Sequence, residues 1–188
     1  RLLAAEASLA DGQPDRALAL LRDVPATGRT TRERLGLVRA QWALGNPRSA
    51  LLTLDVGPGR DCAQWPAPVR GHAAQLAAEL HVALGEEAQA RALLTIARAN
   101  GRGDDLVCLA LSAELAVRAG EGAEAERLAL AGGQRTPRGA GSANAGLLLA
   151  RLLADRDPTA ARTILAQGRA LNGLSPLQRM TAAEQLCR

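Results

Sequence analysis

One arrangement of polar and hydrophobic positions recurs along the chain. A short polar turn, which contains Gly in most copies, precedes a helix start and an alanine, and a leucine usually stands four residues after that alanine. The five alanines are Ala17, Ala50, Ala90, Ala125 and Ala161. They are separated by 33, 40, 35 and 36 residues, and a recurring period of this size predicts an array of similar structural units.

Each turn carries signals that end one helix and begin the next. A glycine after a helix can adopt the left-handed conformation that terminates it, as we expect for Gly45. Asn46 and Asp157 are predicted N-caps, because a side-chain oxygen can accept an otherwise unpaired backbone N–H. Proline fits the first helical position, and three copies have it there: Pro14, Pro47 and Pro158. Connections this short predict that the helices they join are antiparallel neighbours.

The turns divide the chain into paired helices. The first helices of the pairs are predicted at 2–11, 30–44, 67–84, 104–119 and 142–155. The second helices are predicted at 14–24, 47–56, 86–99, 121–131 and 158–171. A last helix is predicted from Ser175-Pro176 to about residue 187, where it would cap the array. The sequence thus predicts an all-α fold, a superhelix (solenoid) of about five antiparallel helix pairs with a C-terminal capping helix, in a single domain over 1–188.

The composition agrees with an all-α fold. The hydrophobic content of 47% comes mainly from Leu and Ala, which favour helices, while Phe and Tyr are absent. A sheet protein normally relies on aromatic and β-branched residues, so an aromatic content of 1% disfavours one. Arg, Ala, Gly and Pro are abundant and Lys is absent, which indicates a GC-rich, bacterial genome.

Charge and cysteine content narrow the classes of function. The net charge of +4 comes from arginines that alternate with glutamates instead of forming a basic run, so no nucleic-acid partner is expected. The cysteines form no CxxC motif and predict neither a zinc cluster nor a redox pair. Cys108 stands among Leu and Val and is expected to be buried. No apolar run is long enough to predict a membrane span.

The repeated units resemble tetratricopeptide (TPR) repeats, whose 34-residue pattern has small residues at its eighth, twentieth and twenty-seventh positions and a large one at the twenty-fourth. The five alanines occupy the twentieth position. The eighth is Ala5, Val38, Ala78, Ala113 and Leu149. The twenty-fourth is Leu21, Leu54, Leu94, Ala129 and Leu165, and the twenty-seventh is Val24, Gly57, Ala97, Gly132 and Gly168. Small residues let two helices approach, and the large residue fills the space between them.

In TPR proteins the first helices of the pairs line a concave groove. The resemblance implies that such a groove holds another protein or peptide here, and that side chains of several first helices line it: Glu6, Arg32, Leu35, Arg39, Trp42, His72, Gln75, Glu79, Glu114 and Arg118. Trp and Arg are the residues most often found at the energetic centres of interfaces. The alternative for Trp42 is that it packs against a neighbouring repeat. Arg32 and Arg39 suit an acidic segment of the partner.

Trp65 lies in a long connection between two units, at 57–66. We expect its side chain to anchor this connection onto the helices. The alternative is an exposed contact for a partner or for a second copy of the chain.

The side-chain chemistry disfavours an enzyme. Because Lys is absent, a Walker-type phosphate loop and a Schiff base are excluded. His72 and His81 stand nine residues apart and face different sides of one helix, so they do not form the pair of a zinc helix. No catalytic residue, metal or cofactor is therefore predicted.

The main hypothesis is a non-enzymatic protein-interaction module or scaffold whose partner is another protein or a peptide, a second copy included. The first alternative is a helical sensor or oligomerisation domain of a bacterial transcription regulator, since a helical-repeat domain of similar pattern lies between the ATPase and DNA-binding parts of such regulators. The second alternative is an enzyme with a site between helices. The chain begins at Arg1, so we expect a fragment of a longer protein, in the cytoplasm or, alternatively, the periplasm.

Overall fold

The computed structural model describes residues 1–25, 28–55, 65–133, 140–154 and 157–169, and its regular structure in these ranges is entirely helical. Its α-helices are α1 (Leu2–Ala10), α2 (Pro14–Arg22), α3 (Thr31–Ala43), α4 (Pro47–Leu54), α5 (Ala67–Ala83), α6 (Glu87–Ala97), α7 (Leu106–Arg118), α8 (Gly122–Gly133), α9 (Ala140–Leu153) and α10 (Pro158–Arg169). The prediction of an all-α fold is therefore confirmed for the described residues.

The observed helices follow the predicted ones, with ends that differ by about two residues at most. One element was not predicted: α6 continues at Ala97 into a π-helical turn, Arg98–Arg102. The helix predicted from Ser175-Pro176 lies outside the described residues.

The turn after α3 shows how the recurring sequence phrase ends a helix. Gly45 has a φ of 75°, and its N–H donates to the carbonyl of Trp42 at 2.7 Å. The next N–H, of Asn46, donates to the carbonyl of Gln41 at 3.0 Å. These two bonds form a Schellman motif, which satisfies carbonyls that the helix leaves unpaired. The same pair of backbone bonds recurs at the equivalent turns, around Gly12, Gly85 and Gly120.

Of the two predicted N-caps, Asp157 is confirmed and Asn46 is not. Asp157 caps α10, because its Oδ1 accepts the N–H of Ala160 at 2.9 Å. The cap predicted for Asn46 is wrong: its side chain makes no capping bond to α4, and its Nδ2 instead donates to the carbonyl of Leu44 at 3.3 Å. The physical reason is the backbone of Asn46, whose φ and ψ of −111° and 63° lie outside the extended region that a capping side chain requires.

Thr30 forms an unpredicted cap at the start of α3. Its hydroxyl oxygen accepts the N–H of Glu33, and a carboxylate oxygen of Glu33 accepts the N–H of Thr30 at 2.8 Å, which completes a capping box. The bond from the Thr30 backbone, and next the bond from its hydroxyl, hold the pKa of Glu33 below its ordinary value of 4.5.

The first compact unit contains α1 to α6 and ends at Asn100. Within it α1 packs with α2, α3 with α4 and α5 with α6, and α3 also contacts both α1 and α2. Its core includes a cluster of buried side chains from the first three helices: Ala5, Ala17, Leu21, Leu37 and Ala40. Gly36 keeps α3 close to α2, since a Cβ at this position would lie 3.1 Å from Cδ1 of Leu21.

The second compact unit begins at Gly101 and contains α7 to α10. Within it α7 packs with α8 and α9 with α10, and α9 also contacts α7 and α8. Cys108 of α7 is fully buried, as predicted. A Cβ at Gly132 of α8 would lie only 2.5 Å from Cδ1 of Leu149, so the missing side chain is what lets α8 and α9 approach so closely.

The positions that are equivalent in the sequence repeat share one environment. At the eighth, twentieth and twenty-fourth positions of every copy the side chain is buried. The least exposed of them, including Ala5, Ala50 and Leu149, expose 0% of their surface, and the most exposed, Ala161, exposes 5%. The sequence period therefore corresponds to a period in packing.

Candidate protein-binding surface

The first helices of successive pairs in the first unit are joined by exposed polar contacts. Arg32 of α3 donates through Nε and Nη2 to the two carboxylate oxygens of Glu6 of α1, at 2.8 and 2.9 Å. Both bonds of this fork are charge-assisted and parallel, which fixes the plane of the guanidinium. Because 67% of the Arg32 side chain remains accessible, the pair contributes orientation more than stability.

A second contact joins α3 to α5. Nη2 of Arg39 lies 2.8 Å from Nε2 of His72. A guanidinium can only donate hydrogen bonds, so Nε2 of His72 is the acceptor, and the proton of the neutral imidazole is on Nδ1. Arg39 is exposed and His72 is half-buried. The contact thus holds a surface cation with an uncharged partner.

Trp42 lies on the same side of α3 as Arg39. It follows Arg39 by three residues, so the two side chains are neighbours on one face of the helix, and it is half-buried. We call the set of Glu6, Arg32, Arg39, Trp42 and His72 the polar face.

Two residues predicted for the groove are buried. Leu35 is on the Arg32–Trp42 side of α3 but exposes only 8% of its surface. Gln75 of α5 exposes 3%, and its Nε2 donates to a carboxylate oxygen of Glu79 at 3.3 Å. In the described structure these side chains support the surface and offer little area to a partner, whereas Glu79 is half-buried.

Glu114 and Arg118, the last predicted groove residues, form an ion pair along α7. They are one helical turn apart, which is the spacing at which side chains on one helix meet. They belong to the second compact unit and are not members of the polar face.

The anchor predicted for Trp65 is confirmed, and its partners were not predicted. Trp65 exposes 2% of its surface, and its Nε1 donates to the carbonyl of Leu54 at 3.1 Å. Arg34 stacks its guanidinium on the ring and also donates through Nε to the carbonyl of Thr53 at 2.7 Å. These contacts tie α3 and the end of α4 to Trp65, two residues before the start of α5.

The two histidines of α5 have separate surroundings, as their spacing predicted. His81 is buried, and its Nδ1 lies 2.6 Å from a carboxylate oxygen of Glu86, in the turn before α6. The backbone carbonyl of His81 also accepts the N–H of Glu86 at 2.9 Å. His81 and Glu86 therefore hold the α5–α6 turn together through one side-chain contact and one backbone hydrogen bond.

Among the residues that the structure describes, no group of three or more His, Cys, Asp or Glu side chains is arranged to hold a metal ion. No helix in the described ranges is both long and apolar enough to cross a bilayer.

Comparisons of the chain with protein-family models, with curated proteins and with solved structures give no match.

Proposed function

We propose that the chain is a non-enzymatic protein-interaction module, built as a TPR-like superhelix of antiparallel helix pairs, in which the first helices present a binding surface to another protein. A second copy of the chain is included among the partners that this surface would fit. The observation that carries the proposal is the polar face, in which α1, α3 and α5 bring exposed and half-buried side chains together through the Glu6–Arg32 and Arg39–His72 contacts.

The repeat supports the architectural part of the proposal. Side chains at equivalent positions of all copies are buried alike, and four turns close with the same backbone bonds. A unit of two short helices cannot bury its apolar side alone and is stable only when neighbours stack on it.

The composition of the polar face supports the functional part. Arg and Trp are the residues most enriched at interface hot spots, and each of them can contribute a large share of a binding free energy. Both arginines of the polar face are held by partners on neighbouring helices before any protein arrives. Little side-chain entropy is then lost on association, so more of the interaction free energy appears as affinity.

Cross-linking and affinity capture with the whole chain test this proposal. The double variant Arg39→Ala, Trp42→Ala removes the two central side chains of the polar face, and we expect it to lose the partner that the natural chain captures. The matched control is Arg16→Ala, Arg48→Ala, which removes two exposed arginines from the second helices α2 and α4. This control should capture the partner as the natural chain does.

Circular dichroism must show equal helix content in all three proteins for the comparison to count. If no protein is recovered, a second copy included, or if the double variant captures the same partner at the same yield, the proposed function is wrong.

A further inference from the structure

Arg39 differs from the other arginine of the polar face in its charge balance. Arg32 is neutralised by the forked pair with Glu6. Arg39 donates to a neutral imidazole, and no carboxylate among the described residues pairs with it. Within the part of the chain that the structure describes, the polar face therefore keeps one positive charge that no carboxylate compensates.

The contact with His72 orients the guanidinium of Arg39 and leaves some of its N–H groups available for a ligand. One N–H of the guanidinium is used by the imidazole, and the other N–H groups remain as donors in a fixed fork. The geometry of this fork matches a carboxylate, which accepts two parallel bonds from one guanidinium. An arginine already held in place gives up less rotamer entropy when it binds than a freely rotating one does.

Trp42 supplies an apolar neighbour to this cation. Its Cβ is about 5–6 Å from that of Arg39, since side chains three residues apart on a helix are adjacent. The indole is half-buried and so still exposes part of its ring. A ligand that suits both residues carries a carboxylate next to a large apolar side chain.

Other charges of the surface favour a peptide over a nucleic acid. Duplex DNA carries one phosphate for about every 1.7 Å of its length, and proteins bind it by neutralising several of these charges. Here Arg32 is already paired with Glu6. Glu79 lies on α5 seven residues after His72, which is about 10 Å along the helix axis. A chain of phosphates would meet these carboxylates, whereas a single acidic side chain can reach Arg39 and avoid them.

We infer that the polar face recognises an acidic segment of a protein partner, in which an Asp or Glu carboxylate binds Arg39 and an adjacent large apolar side chain packs on Trp42. His72 is a positioning residue, which holds the guanidinium of Arg39 towards the ligand. This inference rests on the proposed function and specifies the class of partner.

A selection from a displayed library of short random peptides, with the whole chain as target, tests it. We expect the enriched peptides to share an Asp or Glu beside a large apolar residue. Calorimetric titration of one such peptide should show binding about tenfold weaker to the Arg39→Ala variant, as for a lost charge-assisted hydrogen bond. The Arg48→Ala control should bind the peptide as the natural chain does.

A double-mutant cycle shows whether the carboxylate and Arg39 meet. Changing the acidic residue of the peptide to its amide should weaken binding to the natural chain, and should change little when Arg39 is already Ala. His72→Gln, whose amide oxygen still accepts a hydrogen bond, should bind within about threefold of the natural chain. His72→Ala should bind less well than His72→Gln at equal helix content.

The outcomes separate this inference from the proposed function. Enriched peptides without acidic residues, whose binding still depends on Trp42, overturn the acidic-partner inference and leave the interaction module intact. Tighter and Arg39-dependent binding of single-stranded DNA or of a phosphopeptide also overturns it. If the selection enriches no peptide, the inference fails, and if cross-linking also captures no protein, the proposed function fails with it.

Discussion

The guanidinium carbon of Arg34 lies 4.8 Å from the centre of the Trp65 ring. The same arginine donates to the carbonyl of Thr53, and the indole N–H donates to the carbonyl of Leu54. Both acceptors are in the last turn of α4, where carbonyls have no partner within the helix. Arg34 and Trp65 therefore act as a joint clamp on the end of α4.

We expect Trp65→Ala to lower the free energy of unfolding by about 3–5 kcal/mol, because it empties a buried site of this size. Trp65→Phe should cost less, since it keeps most of the ring and loses mainly the bond to Leu54, worth about 1 kcal/mol. Urea unfolding followed by circular dichroism measures both values. A loss below about 1 kcal/mol for Trp65→Ala would show that the clamp does not contribute to stability.

The anchoring role of Trp65 could be predicted from the sequence, whereas its partner Arg34 could not. A tryptophan before a proline in a long connection is enough to predict an anchor, because so large an apolar side chain is rarely left in water. Its partner Arg34 is on a helix far away in the sequence. Nothing in the local pattern distinguishes Arg34 from the other arginines of α3, because only the packing of α3 beside α4 brings it to the ring.

Gly132 and Gly146 are both helical glycines of the second unit, and we expect opposite effects from alanine at the two positions. A Cβ at Gly146 would lie 3.5 Å from the nearest side chain, an ordinary van der Waals distance. Gly146→Ala should then raise the free energy of unfolding by up to about 1 kcal/mol through helix propensity. At Gly132 a Cβ would be 2.5 Å from fully buried Leu149, so Gly132→Ala should destabilise by about 1–3 kcal/mol.

Thermal unfolding of the two variants beside the natural chain decides this prediction. Equal stabilisation by both substitutions would mean that Leu149 moves aside without cost. The close approach of α8 to α9 would then not depend on glycine.

Gly45→Ala tests the recurring turn without changing its packing. A Cβ at this position would meet no atom within 4 Å, so the whole effect comes from the left-handed backbone, whose φ is 75°. We expect a loss of about 1–2 kcal/mol in the free energy of unfolding, the cost of placing alanine in this conformation. Gly45→Asn should lose less, because asparagine tolerates the left-handed region, and equal losses would contradict this account.

Glu33 gives the chain a defined response to acid. Its pKa in the folded state is below the ordinary value of 4.5, so its ionised form stabilises the fold. This contribution is fully present above about pH 4.5 and is lost as the pH falls through the lower pKa of the folded state. A titration of Glu33 by nuclear magnetic resonance should therefore give a midpoint below 4.5.

Thr30→Val separates the two bonds that shift this pKa. It removes the hydroxyl and keeps the backbone N–H, which is the larger cause, so the midpoint should rise only part of the way towards 4.5. Glu33→Gln should remove the acid-dependent part of stability that Glu33 contributes. A midpoint at or above the ordinary value in the natural chain would show that the capping box is not formed in solution.

The binding residues were predicted from the resemblance of the repeat to TPR units, and a position in a repeat specifies a helix face without specifying what covers it. Arg32, Arg39 and Trp42 share a face of α3 and are accessible to different degrees. Leu35 shares that face and is buried, because neighbouring chain segments cover it. That no carboxylate of the described residues pairs with Arg39 could not be predicted either, since this depends on which residue of α5 lies opposite.

The chain has two tryptophans and neither tyrosine nor phenylalanine, so its intrinsic fluorescence comes from two indoles in different surroundings. Trp65 is buried in the clamp and should emit at short wavelength until the first unit unfolds. Trp42 is half-buried on the polar face and should emit further to the red. Trp65 therefore reports optically on folding and Trp42 on docking, and one unlabelled sample can be used to follow both events.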